Sequence, residues 1–287
     1  MTDNSFSSDQ PIVIAGPCAA ESYELMDEVA ASIKKLADEL GFTFIFKASF
    51  DKANRTSISS YRGSGIEQTL EWFTELKKKY GFMVLTDIHE SIQVPKIAEV
   101  CDVLQIPAFL CRQTDLLLAA LASGRYVNVK KGQFLDPDSM SSVVKKADSV
   151  GAKSRVFLTE RGACFGYNNL VVDMRGFKQM SSNQVPLIFD ITHSVQLLGG
   201  GSSQAGITGA RREFAPLLAR SATATGYLSG YFLEVHRNPA QAKSDAEAQL
   251  SIPQAQTLLR QLIPFWHSCR ALAKIDDQFP SGAELNI

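Results

Sequence analysis

Short apolar segments rich in β-branched and aromatic residues alternate with amphipathic segments along the chain. Eight are of the first kind: PIVIAG, FTFIFKASF, FMVLTDI, DVLQIPAF, YVNVKKG, SRVFLTERG, PLIFDIT and GYFLEVH. The segments SYELMDEVAASIKKLADEL, GIEQTLEWFTELKKKY, RQTDLLLAALAS, SMSSVVKKADSV and REFAPLLARSATATG lie between them and carry apolar residues at helical spacing. Eight repeats of strand then helix predict an α/β fold, the (β/α)8 or TIM barrel, whose doubly buried strands are almost continuously apolar.

An open, doubly wound sheet is the alternative to a barrel. No GxGxxG motif comes after the first strand, however, and eight units are more than that fold usually needs. We therefore expect residues 11–287 to form a single barrel domain and the polar residues 1–10 to form a disordered tail. The glycine-rich segment LLGGGSSQAGITGA could be an interdomain linker, but the helix and strand after it are too little for a domain, so we interpret residues 199–210 as a loop at the barrel mouth.

Charge and cysteine content limit the classes of partner. The formal net charge is −1, with Lys and Arg spread along the chain, which gives no basic surface for nucleic acid or an anionic membrane. No apolar run approaches the roughly 20 residues of a membrane helix, and the polar start MTDNSFSSDQ is unlike a secretory signal. Five cysteines, an odd number in a chain too large to depend on disulfides, suggest reduced thiols and a cytoplasmic protein.

Polar side chains lie at the carboxyl end of every predicted strand, where the strands of a barrel converge. They are Cys18, Glu21, Lys47, Lys52, Asn54, Arg55, Asp87, His89, Gln105, Lys130, Lys131, Glu160, Arg161, Asp190, His193, Glu234, His236 and, just beyond, Asp245. Singly, many have a simpler interpretation, such as Cys18 as a small buried apolar residue or Glu234 in a local ion pair. Together they would bury too many charges in one place unless metals, anions or a substrate compensate them.

Two chemical groups stand out among these residues. One thiolate, one imidazole and two carboxylates form a ligand set suited to a divalent transition metal such as Zn, Fe(II) or Mn(II), namely Cys18, His193, Glu234 and Asp245. Five cations surround the same mouth, namely Lys47, Lys52, Arg55, Lys130 and Arg161. They are enough to hold two anionic substrates, and the arginine fork suits phosphate in particular.

From about Ile12 to about Leu250 the sequence resembles the metal-dependent 3-deoxy-D-manno-octulosonate 8-phosphate synthases. The similar segments are IAGPCAAES, FKASFDKANRTS, LTDIHE, LQIPAFLCRQTDLL, NVKKGQF, ERGACFGYNNLVVDMR, FDITHSVQ and FLEVH. The resemblance implies condensation of phosphoenolpyruvate with D-arabinose 5-phosphate and water to an eight-carbon acid phosphate and inorganic phosphate, a step towards the KDO sugar of lipopolysaccharide. It also implies a (β/α)8 barrel and a homotetramer.

The 3-deoxy-D-arabino-heptulosonate 7-phosphate synthases, which use erythrose 4-phosphate, are the alternative enzymes. After the second strand this chain has Lys52, Ala53, Asn54 and Arg55, as in the octulosonate enzymes, where the heptulosonate enzymes typically have Lys-Pro-Arg-Thr. The metal-independent class has Asn in place of Cys18 and Cys-Asp-Gly in place of residues 244–246, which favours metal dependence. A barrel that only binds these ligands, and a class II aldolase with a histidine-dominated metal site, remain further alternatives.

The resemblance also implies a role for individual residues. It makes Cys18, His193, Glu234 and Asp245 the metal ligands. The phosphate of phosphoenolpyruvate would bind to Lys130, Arg161 and the backbone at Ala108. Its carboxylate would lie near Ser49, Lys52 and Gln105, with Lys47 beside them. Arabinose 5-phosphate would bind to Asn54, to Arg55 reaching across from a neighbouring subunit, and to Thr208. The candidate catalytic residues are Lys52, Asp87 and His193, the last two for proton handling.

Overall fold

Eight parallel strands close into a barrel in the computed structural model, which describes residues 6, 9–55, 57–164, 167, 169–197, 209–272, 275 and 278–279. The barrel strands are β1 (Ile12–Gly16), β2 (Thr43–Lys47), β3 (Met83–Asp87), β4 (Val103–Ile106), β5 (Tyr126–Lys130), β6 (Val156–Glu160), β9 (Leu187–Asp190) and β10 (Gly230–His236). They pair in this order, and β10 returns to pair with β1 from Ile12↔Gly230 to Gly16↔Glu234. The predicted (β/α)8 fold is confirmed, since each of the eight apolar segments contains one barrel strand.

Helices connect the strands around the outside of the barrel. They are α1 (Tyr23–Leu40), α2 (Ile66–Tyr80), α3 (Val94–Ala98), α4 (Thr114–Ala122), α5 (Ser141–Ser149), α6 (Arg175–Ser181), α7 (Ala215–Ala224) and α8 (Ile252–Cys269). The ends of the long helix α1 are set by capping residues in the sequence. Ser22 caps α1 by accepting a hydrogen bond from the Leu25 N–H at 3.2 Å, and Gly41 ends it at φ 72°.

Short strands lie outside the barrel. Between β6 and α6, the strands β7 (Ala163–Cys164) and β8 (Leu170–Val171) form an antiparallel pair. Beyond β10, the strand β11 (Leu250–Ser251) pairs with the end of β10. The sequence pattern predicted neither feature.

Strand alternation divides the side chains between two apolar regions and the mouth. Outward-facing residues such as Phe46 and Phe189 pack against the helices. Inward-facing residues fill the barrel near the amino ends of the strands, and they include Ile14, Ile45, Leu85, Val103, Phe157, Ile188 and Phe232. Two positions further along β2, β3, β4, β9 and β10, the same inward face carries Lys47, Asp87, Gln105, Asp190 and Glu234. The barrel interior therefore changes from apolar to ionisable at the carboxyl ends.

The amino-terminal segment contributes one aromatic side chain, Phe6, to the barrel packing. The Phe6 ring packs edge-on against Tyr126 and Phe157, with ring centroids 4.7 and 4.9 Å apart. Most of the predicted disordered tail, residues 1–5 and 7–8, lies outside the described residues, so the tail stays a prediction. None of the helices in the described part of the chain is both long enough and apolar enough to cross a membrane.

Candidate active site

The four predicted metal ligands converge at the carboxyl end of the barrel. Cys18 lies two residues after the end of β1, Glu234 lies in β10 and Asp245 lies between β10 and β11. Each of these three offers a ligand atom, and the three atoms lie within 4.8 Å of one another. His193 joins them from the turn after β9, with Nε2 at 3.6 Å from Glu234 Oε1 and 3.7 Å from Asp245 Oδ2. The cluster thus combines ligand atoms from three different strand ends.

Glu234 has one carboxylate oxygen with a partner and one without. Its Oε1 accepts a hydrogen bond from Lys47 Nζ at 2.6 Å. Its Oε2 is buried and has no hydrogen-bond partner among the described residues, which is costly for a carboxylate that is 0% exposed. Burial alone would raise the pKa of Glu234, but Lys47 and His193 hold it below its usual value. An ionised carboxylate that has an unpaired buried oxygen and lies close to Cys18 and Asp245 fits a bound cation.

Cys18 is tied to the segment that carries Asp245. Its Sγ lies 2.9 Å from Ser244 Oγ and donates to Asp245 Oδ2 at 3.3 Å. Burial raises the pKa of the thiol, and Asp245 and Glu234 raise it further. The thiol is therefore protonated in the absence of a cation, and a metal that takes it as a thiolate must displace that proton.

Gln249 holds the two ligand segments together, although no sequence pattern singled it out. Its Oε1 accepts from the Cys18 N–H at 3.1 Å and its Nε2 donates to the Ser244 carbonyl at 2.8 Å. Asp245 itself has a positive φ of 46°, which is uncommon for a residue other than glycine. The buried amide and the unusual backbone together fix where the Asp245 carboxylate points.

His193 is oriented by a buried carboxylate behind it. Its Nδ1 lies 2.8 Å from Asp190 Oδ2, which leaves Nε2 to face Glu234 and Asp245. A carboxylate on the far nitrogen is the usual way in which a histidine ligand is oriented and made more basic. Burial would lower the pKa of His193, but Asp190 and Glu234 raise it. From the sequence alone, Asp190 was a polar strand-end residue without an assigned role.

Four of the five predicted cations line the same mouth in buried or half-buried positions. Lys52 Nζ donates to the Cys18 carbonyl and to Ser49 Oγ, both at 3.4 Å. Burial would lower the pKa of Lys52, but the carboxylates of Glu234 and Asp245 raise it, so Lys52 remains a cation. Lys47 donates to the Cys18 carbonyl at 2.8 Å in addition to its ion pair with Glu234.

The other two cations of this group lie across the mouth on β5 and after β6. Lys130 Nζ pairs with the Asp190 carboxylate, and burial lowers its pKa to about 8, although Asp190 acts in the opposite direction. Arg161 donates to Gln196 Oε1 at 2.5 Å, whereas its Nε is buried without a hydrogen-bond partner in the described structure. Arg161 therefore keeps a donor available for an anion.

Asp87 is the centre of a buried polar network. It accepts hydrogen bonds from Ser49 Oγ and Gln105 Nε2, and Gln105 Oε1 accepts in turn from Asn128 Nδ2 at 2.8 Å. Burial would raise the pKa of Asp87, but Lys47 and Lys52 hold it well below its usual value. These contacts place Asp87 where it orients the Ser49 hydroxyl and the Gln105 amide.

The loop after β2 carries the residues expected to bind the sugar phosphate. Asn54 is exposed, and Arg55 Nε donates to the Tyr61 carbonyl at 3.1 Å. One terminal nitrogen of Arg55 is buried without a partner among the described residues. Burial would raise the pKa of Asp245, but the hydrogen bond with His193 and the charges of Lys52, His193 and Arg55 hold it well below its usual value.

Ala108, Lys131 and Thr208 are three further positions named from the sequence. Ala108 is buried and begins a short turn after β4. Lys131 points away from Lys130 and pairs with Glu160 at 3.5 Å, as strand alternation requires. Thr208, with the glycine-rich loop over residues 198–208, lies outside the described residues, so its role stays a prediction.

The chain is similar to a known protein family and to individual proteins that share one name. Residues 4–265 match the sequence profile of the DAHP synthetase I family. A protein of a Cyanothece species named 2-dehydro-3-deoxyphosphooctonate aldolase is 52% identical over 91% of this chain and 94% of its own length. Proteins of the same name from Brucella abortus and Fusobacterium nucleatum are 50% and 51% identical, over 93% and 87% of this chain and 95% and 88% of their own lengths.

Proposed function

The chain belongs to the DAHP synthetase I family, and we propose that it condenses phosphoenolpyruvate with D-arabinose 5-phosphate and water to give 3-deoxy-D-manno-octulosonate 8-phosphate and inorganic phosphate. The name shared by the similar proteins and the sequence Lys52, Ala53, Asn54, Arg55 both favour this reaction over the heptulosonate synthesis. The observation that carries the proposal is a cluster of Cys18, Glu234 and Asp245 beside buried cations at one barrel mouth.

The residues at the mouth fit a divalent metal ion. Cys18, His193, Glu234 and Asp245 would hold it, and the unpaired Glu234 Oε2 is the feature that most needs it. When bound, such a metal supplies Lewis-acid polarisation of an oxygen or acidifies a water. Zn, Fe(II) and Mn(II) all accept this set of sulfur, nitrogen and oxygen ligands.

The cations of the mouth bring two anionic substrates together. Lys130 and Arg161 bind the phosphate of phosphoenolpyruvate, with the backbone of Ala108 nearby. Lys52, Ser49 and Gln105 bind its carboxylate, with Lys47 beside them. The unpaired Arg161 Nε supports the phosphate assignment, because a buried donor without a partner is satisfied when an anion arrives. Holding both substrates in reactive orientation can contribute about 7–11 kcal/mol.

In the reaction, C3 of phosphoenolpyruvate bonds to the aldehyde carbon as the aldehyde π bond breaks. The water oxygen bonds to C2, and one water proton goes to the former aldehyde oxygen. The C2–O bond to the phosphate then breaks, and the second water proton leaves with the phosphate, which leaves a ketone at C2. Lys52, which stays protonated, faces the site as a fixed positive charge that stabilises the oxygen on which negative charge develops. Asp87 orients Ser49 and Gln105, from which it accepts hydrogen bonds, and its expected part in proton handling stays a prediction. His193 acts as a metal ligand, held by Asp190.

Arg55 is proposed to bind the phosphate of arabinose 5-phosphate, reaching the site of a neighbouring subunit. Its buried terminal nitrogen without a hydrogen-bond partner among the described residues supports a phosphate ligand. Asn54 and Thr208 would contact the sugar from the two flanking loops. A homotetramer and a cytoplasmic location are also proposals, the second supported by five unpaired cysteines.

A phosphate-release assay tests substrate and metal together. Phosphoenolpyruvate is supplied with either arabinose 5-phosphate or erythrose 4-phosphate, before and after chelation and after addition of Mn(II). We expect release with arabinose 5-phosphate, its loss on chelation and its recovery with metal. Release mainly with erythrose 4-phosphate would favour the heptulosonate reaction, substrate binding without release would favour a binding protein, and full activity without metal would remove the metal assignment.

A further inference from the structure

The buried carboxylate of Asp190 contacts both a proposed metal ligand and a proposed phosphate-binding cation at the barrel mouth. Asp190 ends β9 inside the barrel and is 0% exposed. Its Oδ2 lies 2.8 Å from His193 Nδ1 and also pairs with Lys130 Nζ. Its Oδ1 accepts from the His193 backbone N–H at 2.9 Å. A single oxygen is therefore shared between a proposed metal ligand and a proposed phosphate-binding cation.

Asp190 also reaches a second proposed metal ligand through a hydroxyl group. Thr192 Oγ1 donates to Asp190 Oδ1 at 3.3 Å and accepts from the Glu234 backbone N–H at 3.2 Å. The carboxylate thus links β9 to β10 at the point where Glu234 enters the cluster. Thr192 is itself buried, so these bonds are shielded from water.

We propose that Asp190 is a positioning residue that couples the metal site to the phosphoenolpyruvate site, so that each ligand tightens the binding of the other. The inference rests on the proposed function, because it takes Lys130 as a phosphate ligand and His193 as a metal ligand. It adds an energetic link between the two sites.

The direction of the coupling depends on the shared oxygen. A carboxylate behind a histidine ligand makes that ligand more basic and holds its orientation. Lys130 also interacts with this oxygen and partly neutralises its negative charge, so the hydrogen bond from His193 to Asp190 is weaker. When a phosphate takes up part of the charge of Lys130, Asp190 acts more strongly on His193, and the metal binds more tightly. By linkage, the metal must tighten phosphoenolpyruvate by the same factor.

The test measures binding of Mn(II) to the intact, metal-depleted protein by electron paramagnetic resonance, with and without phosphoenolpyruvate. Free Mn(II) is corrected for its complex with phosphoenolpyruvate. In the unaltered protein we expect phosphoenolpyruvate to tighten Mn(II) binding at least about fivefold, in the usual range of such couplings. In Asp190→Asn we expect Mn(II) binding to weaken about 10–100-fold, as for other losses of such a partner, and the coupling factor to fall to about one.

Substitution of the other partner distinguishes this link from simple charge effects. Lys130→Met should weaken phosphoenolpyruvate binding but leave Mn(II) binding as tight or tighter, opposite to Asp190→Asn. Lys131→Met, which alters the neighbouring buried lysine outside the barrel, should keep the native coupling factor. If phosphoenolpyruvate still tightens Mn(II) binding in Asp190→Asn, the coupling arises from the charges of the two ligands and not from Asp190. That result would overturn the inference.

The outcomes also separate this inference from the proposed function. If the unaltered protein binds neither Mn(II) nor phosphoenolpyruvate, the proposed function fails. If it binds both but independently, only the coupling through Asp190 is refuted. If circular dichroism shows that Asp190→Asn does not fold, two other results test the inference. They are the coupling factor of the unaltered protein and the effect of Lys130→Met on Mn(II) binding, and weaker Mn(II) binding in Lys130→Met would refute it.

Discussion

Replacement of Lys47 by methionine is expected to destabilise the metal-free protein and to increase the stabilisation that metal provides. Lys47 and Glu234 have side chains that are 1% and 0% exposed and form a 2.6 Å ion pair. The substitution keeps a side chain of similar length but leaves both oxygens of Glu234 without a hydrogen-bond partner in the described structure, with His193 Nε2 at 3.6 Å as the nearest remaining cation. Removal of one partner of a buried pair costs about 3–5 kcal/mol, because the remaining charge is uncompensated.

The size of the effect can be converted to a melting temperature. A chain of this length has an unfolding entropy of roughly 0.6 kcal/mol/K, so the Tm of metal-free Lys47→Met should be lower by about 5–8 °C. Metal at about 100 times its Kd stabilises a native site by about 2.7 kcal/mol. In Lys47→Met this gain should be larger, since the metal then neutralises Glu234 without a competing cation.

The assay is thermal unfolding by circular dichroism, with chelator and with Mn(II). Lys131→Met is the matched control, because Lys131 is also 1% exposed and pairs with Glu160 on the outer side of the barrel. It should lose stability in the same way, but its gain from metal should equal that of the unaltered protein. The reasoning is refuted if metal raises the Tm of Lys47→Met no more than that of Lys131→Met.

Three further predictions test other parts of the structure. Phe73→Ala should lower the free energy of unfolding by about 3–5 kcal/mol in denaturant titrations, since Phe73 is 0% exposed and packs on Phe46, and a loss below about 1 kcal/mol would contradict that packing. A thiol reagent should label one cysteine rapidly in the native protein and five in denaturant, because only Cys164 is exposed, and Cys164→Ser should abolish the rapid phase. Arg55→Ala should raise KM for arabinose 5-phosphate well above any change in KM for phosphoenolpyruvate, and an unchanged value would remove Arg55 from the sugar-phosphate site.

The barrel was predictable because its strands are encoded locally. Buried parallel strands give short, continuous apolar runs in the sequence. Polar residues follow at the carboxyl ends of these runs, where the strands reach the barrel mouth. The missed elements lack such a signal. The strands β7, β8 and β11 have two residues each, too short for any periodicity.

The candidate site was predictable as a set of residues but not as a set of contacts. Residue type and position at strand ends were enough to group Cys18 with Glu234 as ligands. The sequence could not show that Asp190 is shared between His193 and Lys130, because that depends on side-chain directions inside the barrel. Nor could it show Gln249 on the Cys18 amide, a contact between positions 231 residues apart.

The ratio of kcat/KM for arabinose 5-phosphate to that for erythrose 4-phosphate, measured with phosphoenolpyruvate and the metal-loaded protein, tests the central claim most directly. A site that binds the additional hydroxyl-bearing carbon of the five-carbon sugar should give a ratio of at least about ten, since buried polar groups left unpaired by the shorter sugar disfavour it. A ratio below about one would contradict the account.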